Sequence, residues 1–230
     1  MIVRKARPED VPAVVEFTRN TWEWGDYVPR VFADWVSEGT AYVAELDGAV
    51  VAAARLLMVG ETAYLQGLRV RREYRRRGIG RAVTEHLVEE ARRLGASMAT
   101  LIVSERNEPS LSLVKSVGFK PVLELWGGVP ERAEPSKCLE GDEAEEALRR
   151  ALGRTNGFAC LPDDPWICVA ATPQLLLRRA KPCLGEDLYI GRFSFGSARV
   201  DTQEDVVALK PEGFAKLYGR YFLFALKLLS

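Results

Sequence analysis

The stretch LRVRREYRRRGIGRAV, residues 68–83, carries seven arginines and two glycines, Gly78 and Gly80. It follows an apolar segment typical of a strand (62–70) and runs into an amphipathic segment typical of a helix (80–96). A glycine-bearing turn before a helix leaves backbone N–H groups without helical acceptors, and glycine lets the backbone approach an anion closely. Neighbouring guanidinium groups bind phosphate oxygens well. The stretch therefore predicts a phosphate or pyrophosphate site at the start of the helix.

Outside this stretch the composition is that of an ordinary globular chain. The 230 residues are 47% apolar and include 32 basic and 32 acidic side chains, enough to bury a core in one large or two small domains. A charge run is usually a solvated face, and the neutral balance disfavours a nucleic-acid surface. No apolar run is long enough for a membrane span, and the N-terminus lacks the apolar core of a signal peptide. We therefore expect a cytoplasmic protein without nucleic-acid or membrane partners.

The cysteines and the histidine give no sign of a metal site. Cys138, Cys160, Cys168 and Cys183 form no C-x-x-C pair, and His86 is the single histidine of the chain. Zinc is therefore not expected, and we interpret His86 as a structural residue of the long helix. Buried thiols are favoured over disulfides. Few Asn and Gln residues, as in some heat-adapted proteins, leave intracellular disulfides open as the alternative.

The order of predicted elements is that of an α/β protein. The first half reads strand, two helices, three strands, helix, strand, helix and strand, with a hairpin at Asp47-Gly48. A segment rich in Gly and Pro follows, which predicts a linker. The remainder reads helix, strand, helix, strands and a terminal helix, FAKLYGRYFLFALKLL. We divide the chain into a domain over 1–126, a linker over 127–141 and a smaller α/β domain over 142–230.

Two spaced motifs resemble the GNAT superfamily of N-acetyltransferases. One is a strand ending in Val, then Arg or Gln five residues later, then x-x-G-x-G/A and a helix. The other is a late helix that begins with Asn and ends in Gly-Phe. The matching residues are Val70, Arg75, Gly78 and Gly80 in the first motif and Asn107, Ser110, Gly118 and Phe119 in the second. The resemblance covers residues 2 to 126 and implies a mixed central sheet flanked by helices, with acetyl-CoA as the acetyl donor.

The resemblance also implies which residues hold acetyl-CoA. The loop amides would cradle the pyrophosphate, while the Leu68 and Val70 amides pair with the pantetheine arm. The Leu68 N–H would in addition polarise the acetyl carbonyl, as an oxyanion hole does. Asn107 and Ser110 would contact the pantetheine from the other side, or Asn107 would only cap its helix. The implied cofactor-binding residues are Leu68, Val70, Arg75, Arg76, Arg77, Gly78, Ile79, Gly80, Arg81, Asn107 and Ser110.

The usual proton-transfer residues of this superfamily are missing. Val114 stands where many members have a tyrosine that protonates the leaving thiolate. Tyr64 and Gln66 stand where many have a glutamate, and both lie on one face of their strand. Tyr64 is therefore a candidate acid or base and Gln66 a candidate for orienting the substrate, although Tyr64 can equally be a packed aromatic. Positioning of the reactants would then supply much of the rate.

The acceptor side is expected in TWEWGDYVPRVFADW (21–35), where Trp22, Glu23, Asp26 and Tyr27 are candidates for holding a cationic amine. The alternative is an ordinary core with a turn at Gly25-Asp26. The motifs GDYVP and QGLRV also resemble the histidine N-acetyltransferase branch, which implies a free amino acid or similar small amine as acceptor. The leading prediction is thus a small-molecule N-acetyltransferase. A non-catalytic acyl-CoA sensor and a protein N-terminal or lysine acetyltransferase are the alternatives.

Overall fold

The structure is a computed structural model that describes residues 1–19, 21, 25–135 and 137–228. The helices of these residues are α1 (Val11–Thr18), α2 (Val28–Ser37), α3 (Ile79–Arg93), α4 (Glu108–Val117), α5 (Gly141–Arg154) and α6 (Pro173–Leu177). The strands are β1 (Ile2–Lys5), β2 (Ala41–Leu46), β3 (Ala49–Val59), β4 (Thr62–Val70), β5 (Met98–Ser104), β6 (Lys120–Pro130), β7 (Lys137–Cys138), β8 (Phe158–Cys160), β9 (Cys168–Ala170), β10 (Pro182–Leu184), β11 (Leu188–Ile190), β12 (Phe193–Ser194), β13 (Val206–Ala208) and β14 (Phe214–Lys227).

The elements predicted for the first half are present. The β2–β3 hairpin turns at Asp47 and Gly48, both with positive φ (51° and 79°), which is the conformation that an Asp-Gly pair favours. Pro109 lies in the first turn of α4, and Gly118, with φ of 104°, ends that helix. The buried face of α3 includes Val83, Leu87 and Ala91, as its apolar period predicts.

Twelve strands form one mixed sheet in the order β1-β2-β3-β4-β5-β14-β6-β13-β12-β11-β10-β7, and β8 pairs with β9 separately. Helices α3 and α4 cover one face of the first strands, while α1 and α2 pack on the opposite face. The α/β fold class and its smaller C-terminal extension are confirmed. No helix in the described part of the chain is long and apolar enough to cross a membrane.

The predicted terminal helix is wrong, because residues 214–227 form the strand β14. Seven residue pairs join it to β5, from Tyr221↔Ser104 to Lys227↔Met98, and its other edge pairs with β6. Its alternate side chains enter two different cores, Phe222 and Phe224 on the α3 side and Leu223 on the other. A strand buried on both faces has a continuous apolar run, which periodicity alone does not distinguish from a helix.

The start of the predicted linker is also strand. β6 continues through Gly127 and Gly128 to Pro130, where the prediction ended it at Trp126. A Cβ on Gly127 would lie 2.4 Å from the Trp166 ring, and one on Gly128 would lie 2.2 Å from the Lys216 carbonyl oxygen. These glycines therefore permit close approach rather than flexibility, which is the other meaning of glycine in a strand.

Between β6 and β14 the chain adds β7 and β10–β13 to the sheet beyond β6 and forms the separate β8–β9 pair, and β14 then inserts between β5 and β6. We call residues 131–213 the excursion. Its main core is formed by α5, β8 and β11–β13 and includes Leu148, Phe158 and Phe193. The domain division at 126 and 142 stays a prediction, and β14, assigned there to the second domain, lies within the sheet of the first.

The four cysteines form two disulfides, so the expectation of buried thiols is wrong. Cys138 pairs with Cys183 across β7 and β10, and Cys160 pairs with Cys168 across β8 and β9. In both cases the two cysteines occupy directly opposite positions of an antiparallel pair, where side chains lie close together. That proximity depends on strand register, which the spacing of the cysteines in the sequence does not reveal.

Candidate active site

A bulge interrupts β4 just before the arginine-rich stretch. Arg55 faces Gln66 and Ala53 faces Arg69, so Gly67 and Leu68 together oppose the single residue Ala54. Gly67 has φ of +68°, and a Cβ there would lie 2.7 Å from the Trp35 ring. Only glycine therefore fits this position. The bulge changes the direction of the strand where the resemblance places the Leu68 N–H that polarises the acetyl group.

β4 and β5 separate at the same level of the sheet. Their parallel pairing is limited to Thr62–Tyr64 against Met98–Thr100, although β4 continues to Val70 and β5 to Ser104. Beyond Tyr64 the two strands are not paired with each other, and β5 pairs on its other side with β14. A gap therefore opens between the two strands beyond Tyr64. We call it the splay.

The loop after β4 leads into α3 through two residues with left-handed backbone. Arg76 has φ of 62° and Gly78 has φ of 77°, and Gly78 is the N-cap residue of α3. Glycine has no side chain with which to cap the first turn, so the amides at Ile79 to Arg81 point outward towards an external acceptor. The aligned peptide dipoles of a helix 15 residues long add positive potential at this end. The geometry is that of an anion site, as the sequence predicts.

Gly80 joins this helix start to the splay. A Cβ built on it would lie 3.5 Å from Leu113 of α4, 3.7 Å from Leu68 and 3.8 Å from Val70 of β4. These are ordinary van der Waals distances, so a methyl group fits but a longer side chain would extend between β4 and α4. The space between these elements is where the resemblance places the pantetheine arm.

The arginines of the stretch have several different partners. Arg69 bonds to Asp26 and Arg71 to Glu16, on the side of the sheet opposite α3. Arg75 donates to the Val70 carbonyl at 3.0 Å, Arg77 lies over the Tyr74 ring, and Arg81 pairs with Glu85. In the described part of the chain, Arg72 and Arg76 have no such partner. The charge is thus only partly available to a ligand.

The second motif supplies a cap and an apolar wall. The Asn107 side chain accepts a hydrogen bond from the Ser110 amide at 3.2 Å, which makes it the N-cap of α4. Val114 is 4% exposed and packs in the core between α3 and the sheet, so it offers no proton to a leaving group. His86 lies against Tyr42 with the ring centroids 6.2 Å apart, in agreement with the structural role expected of it.

Tyr64 lies at the base of the splay, on the face opposite α3. It is 3% exposed, and its hydroxyl donates to the backbone carbonyl of Trp166 in the excursion. Burial raises the pKa of Tyr64 well above 10, and the charge of Asp164 adds to this effect. Gln66 is half-buried further along the same strand. The acid or base role predicted for Tyr64 and the orienting role predicted for Gln66 stay predictions.

Among the candidate acceptor residues, Asp26 is already bound within the protein. Its carboxylate has no exposed surface and accepts from the Arg69 guanidinium at 2.6 and 3.0 Å and from the Val28 amide at 3.1 Å. Burial alone would raise the pKa of Asp26, but these hydrogen bonds outweigh it and lower the pKa. Trp22 and Glu23 lie outside the described residues. The substrate role predicted for Asp26 is untested, and its present partners are structural.

Tyr27 has a different position from Asp26. Its surface is 42% exposed, and its hydroxyl oxygen lies 3.6 Å from the place a Gly67 Cβ would take, at the bulge. The Arg69 guanidinium stacks on its ring at 5.6 Å. Desolvation by the surrounding protein raises the pKa of Tyr27 although part of the side chain is accessible. Tyr27 therefore lies at the bulge with part of its side chain open to solvent.

None of the site residues predicted from the sequence lies in the loop at residues 161–167, LPDDPWI, which connects β8 and β9. It lies against the same face of β4 and β5 as Tyr64, where Leu161 and Ile167 share a buried cluster with that tyrosine. The Thr100 hydroxyl of β5 donates to the Cys168 carbonyl at 2.8 Å. No local signal marks this loop as part of the site, because the contacts bridge 68 and 102 residues of chain.

The site therefore has two sides. A helix start with open amides lies on one face of the splay, and the 161–167 loop with Tyr27 and Tyr64 lies on the other. A phosphate-bearing thioester entering from the first side can meet an amine entering from the second. In the described part of the chain, no group of three His, Cys, Asp or Glu side chains could hold a metal ion.

These features define an acetyl-CoA-dependent N-acetyltransferase. The chain belongs to the acetyltransferase (GNAT) family, whose model matches residues 11–119. Members of this family are enzymes that take their acetyl group from acetyl-CoA. The resemblance found in the two sequence motifs is thereby confirmed at the level of family, reaction class and acetyl donor.

Two similar proteins match different shares of the chain. The [ribosomal protein bS18]-alanine N-acetyltransferase of Escherichia coli K12 is 30% identical over 115 residues, which is 48% of this chain and 74% of that protein. A Thermoplasma acidophilum crystal structure, solved as a candidate acetyltransferase, matches 99% of this chain and 100% of its own with a TM-score of 0.58 at 19% identity. The excursion is therefore part of a fold found in another protein.

A third relative is a Thermoplasma acidophilum PaiA N-acetyltransferase whose crystal structure contains coenzyme A. It covers 52% of this chain and 89% of its own, with a TM-score of 0.47 and 20% identity.

Proposed function

We propose that this enzyme transfers the acetyl group to the amine of a small molecule, such as a free amino acid, by direct attack on the thioester. The observation that carries the proposal is the 161–167 loop, which covers the face of β4 and β5 opposite α3. An acceptor reaching the splay from that face would meet this loop and Tyr27. A face partly covered by a packed loop leaves more room for a compact amine than for an extended polypeptide.

In the proposed arrangement, the pyrophosphate lies at the amides of Ile79, Gly80 and Arg81, with the pantetheine arm between β4 and α4. The Leu68 N–H at the bulge is then directed at the acetyl carbonyl, where negative charge develops as the amine attacks. The amine nitrogen forms a C–N bond to the acetyl carbon, the C–S bond breaks, and the amine loses one proton. Holding both reactants at the splay can contribute about 7 to 11 kcal/mol.

Departure of the thiolate is the step for which this chain lacks the familiar residue. Val114 is buried and apolar, so water or the ammonium proton released by the acceptor has to neutralise the thiolate. A free CoA thiol is acidic enough to leave as the anion at moderate pH, because thiol pKa values lie near 8.5. Positioning and the bulge amide are therefore expected to matter more for the rate than a tyrosine donor.

A protein N-terminus is the second candidate acceptor. The relative that is 30% identical is an alanine N-acetyltransferase of ribosomal protein bS18, as its name states. The match to the family model, residues 11–119, does not include the excursion. The excursion is the part that we expect to select the acceptor.

The test is release of the CoA thiol across a panel of acceptors. The panel contains free amino acids including histidine, polyamines, and peptides that begin with alanine. We expect at least one small amine to give a kcat/KM about tenfold or more above that of every peptide. Turnover restricted to peptides would contradict the small-molecule proposal and favour the protein N-terminus.

A further inference from the structure

We infer that Asp164, in the 161–167 loop of the excursion, is the carboxylate that receives the acceptor amine at the splay. The inference rests on the proposed acetyl transfer at this site, and it holds for either class of acceptor. It assigns an acceptor-binding group to a part of the chain that lies outside the residues matched by the family model, 11–119.

The 161–167 loop is held in one conformation from several sides. The Cys160–Cys168 disulfide closes its base, and the Leu161 amide donates to the Ile167 carbonyl at 2.9 Å. From outside the loop, Tyr64 donates to the Trp166 carbonyl and Arg192 to the Asp163 carbonyl. A side chain on this loop is therefore presented to the splay in a defined position, as acceptor binding requires.

Trp166 fixes the loop against the large sheet. Its ring fills the space over Gly127 of β6, where a Cβ would lie 2.4 Å away, and it meets the Tyr221 ring edge-on at a centroid distance of 5.0 Å. The backbone amide of Trp166 donates to Asp164 Oδ1 at 3.1 Å. This bond orients the carboxylate and leaves Oδ2 available to a further donor.

Charged and titratable groups from four separate parts of the chain interact electrostatically with Asp164. Its charge acts on Tyr27 before α2 and on Tyr64 of β4, and the charges of Arg55 from β3 and Arg192 after β11 act on Asp164. Burial raises the pKa of Asp164, and the neighbouring Asp163 adds to the increase. Within residues 1–19, 21, 25–135 and 137–228, Asp164 makes no ion pair, so its charge is not neutralised by a direct contact.

The other described carboxylates near this face are already engaged. Asp26 is held by Arg69 with no exposed surface, and Glu38 bonds to Arg55 at 2.6 Å. Asp163 pairs with Arg179 at 2.6 Å and is largely exposed. Asp164 thus combines a free oxygen, partial burial and a place beside the splay. A cationic amine would give Asp164 the ion-pair partner that it lacks within the described residues.

The chemistry needs no additional reactant. The ammonium form of the acceptor donates a hydrogen bond to Asp164 Oδ2. The ammonium proton then passes to the carboxylate, either directly or through a water molecule that the carboxylate orders. The neutral amine then forms the C–N bond as the C–S bond breaks. The nitrogen then loses its second proton, which the CoA thiolate takes up, so that the products are the neutral amide and the CoA thiol, and the first proton passes from the carboxylate to solvent.

The test compares Asp164→Asn with Asp163→Asn in the full chain. Both changes replace one of two adjacent carboxylates, but Asp163 is largely exposed and pairs with Arg179, whereas Asp164 is partly buried and interacts electrostatically with Tyr27 and Tyr64. With the best acceptor from the panel, we expect Asp164→Asn to lower the acceptor kcat/KM at least about tenfold, with an unchanged acetyl-CoA Kd. Asp163→Asn should stay within about twofold of the wild type in both quantities.

The pH profile separates a binding role from a structural one. The wild-type kcat/KM should fall as acid pH protonates Asp164, and this limb should disappear in Asp164→Asn. Because a raised folded-state pKa means that the ionised form destabilises the fold at neutral pH, the Asn variant should have an equal or higher Tm. A structural role would instead lower Tm.

The outcomes distinguish this inference from the proposed function. If peptides turn out to be the acceptors and Asp164→Asn still loses tenfold in kcat/KM with them, the small-molecule proposal is wrong and the assignment of Asp164 is supported. If Asp164→Asn retains wild-type kinetics with the working acceptor, or loses acetyl-CoA affinity instead, the assignment is overturned. A loss equal to that of Asp163→Asn would overturn it as well.

Discussion

The two faces of the splay are built in different ways. On the α3 side, the bulge, the loop and the helix start lie within residues 67–80, and backbone amides form most of the site. On the opposite side, Tyr27, Tyr64 and Asp164 come from three separate parts of the chain, and the Tyr64–Trp166 contact alone spans 102 residues. The first side depends on local backbone conformation, whereas the second depends on long-range packing of the excursion.

This difference determines which substitutions disrupt each side of the site. A backbone site is lost when a side chain enters it, and the surrounding fold can survive the change. A site assembled from distant loops is lost when any contact that positions a loop is removed, and stability changes with it.

Gly80→Glu should abolish productive acetyl-CoA binding. The Cβ of residue 80 points between Leu68, Val70 and Leu113, so a glutamate would place bulk and negative charge where the pantetheine and pyrophosphate are expected. We expect a loss of at least about 100-fold in affinity, ~2.7 kcal/mol, measured by calorimetry. Gly80→Ala, whose methyl group fits, and Gly153→Glu, on an open surface of α5, should both bind within about threefold of the wild type.

Normal acetyl-CoA affinity in Gly80→Glu would mean that the cofactor binds elsewhere. The contrast between the two faces of the splay would then have no basis. Retention of the wild-type circular dichroism spectrum and Tm is the control, because the prediction concerns the site and not the fold.

The same contrast explains how much the sequence predicts. The α3 side can be predicted because glycines with positive φ and a strand-to-helix turn have local signatures, as at Gly78. The sequence of β14 predicts a helix because burial of this strand on both faces hides the period of two. Gly127 and Gly128 predict a linker because their close approach to Trp166 and Lys216 is a property of tertiary structure, which the sequence does not reveal. Asp164 could not be found, since nothing near it in the sequence indicates which strand it faces.

Asp26→Asn should lower stability by about 3 kcal/mol, since it leaves the Arg69 guanidinium without its buried partner. Unfolding in urea measures this, with Glu16→Gln as the matched control. Glu16 pairs with Arg71 but is 72% exposed, so its loss should cost less than about 1 kcal/mol. A large loss would show that Arg69, one of the arginines of residues 68–83, stabilises the face of the site opposite α3.

The pH dependence of stability provides a second readout for Asp26. Its folded-state pKa lies below the unfolded value of about 3.8, so the stabilisation is present above that pH. It is lost as the pH falls through the folded-state pKa, and the Asn variant should lack this acid-dependent loss. If Asp26→Asn keeps its stability and instead raises the acceptor KM tenfold, the substrate role predicted from the sequence is correct.

Replacing both Cys160 and Cys168 with Ala should loosen the 161–167 loop. The disulfide spans eight residues, for which loop-closure entropy gives about 2.5 kcal/mol of stabilisation. We expect that loss in the free energy of unfolding together with a several-fold rise in acceptor KM and an unchanged acetyl-CoA Kd. The matched control removes Cys138 and Cys183, which should affect stability without changing acceptor KM. Equal kinetic effects of the two pairs would contradict a specific role for this loop.

Tyr64→Phe is expected to have the smallest effect, and it decides between two roles for this residue. If Tyr64 is a general acid or base, its loss should lower kcat by 100-fold or more. The structure favours the smaller effect, because the hydroxyl is buried, already donates to the Trp166 carbonyl and has its pKa raised well above 10. We expect kcat within about threefold of the wild type and a stability loss of about 1 to 2 kcal/mol, from the unpaired carbonyl. Tyr218→Phe, on the surface of β14, is the control and should change neither quantity. A large fall in kcat at unchanged stability would show that Tyr64 acts as a general acid or base. A residue of β4 itself, rather than one of the excursion, would then transfer the proton.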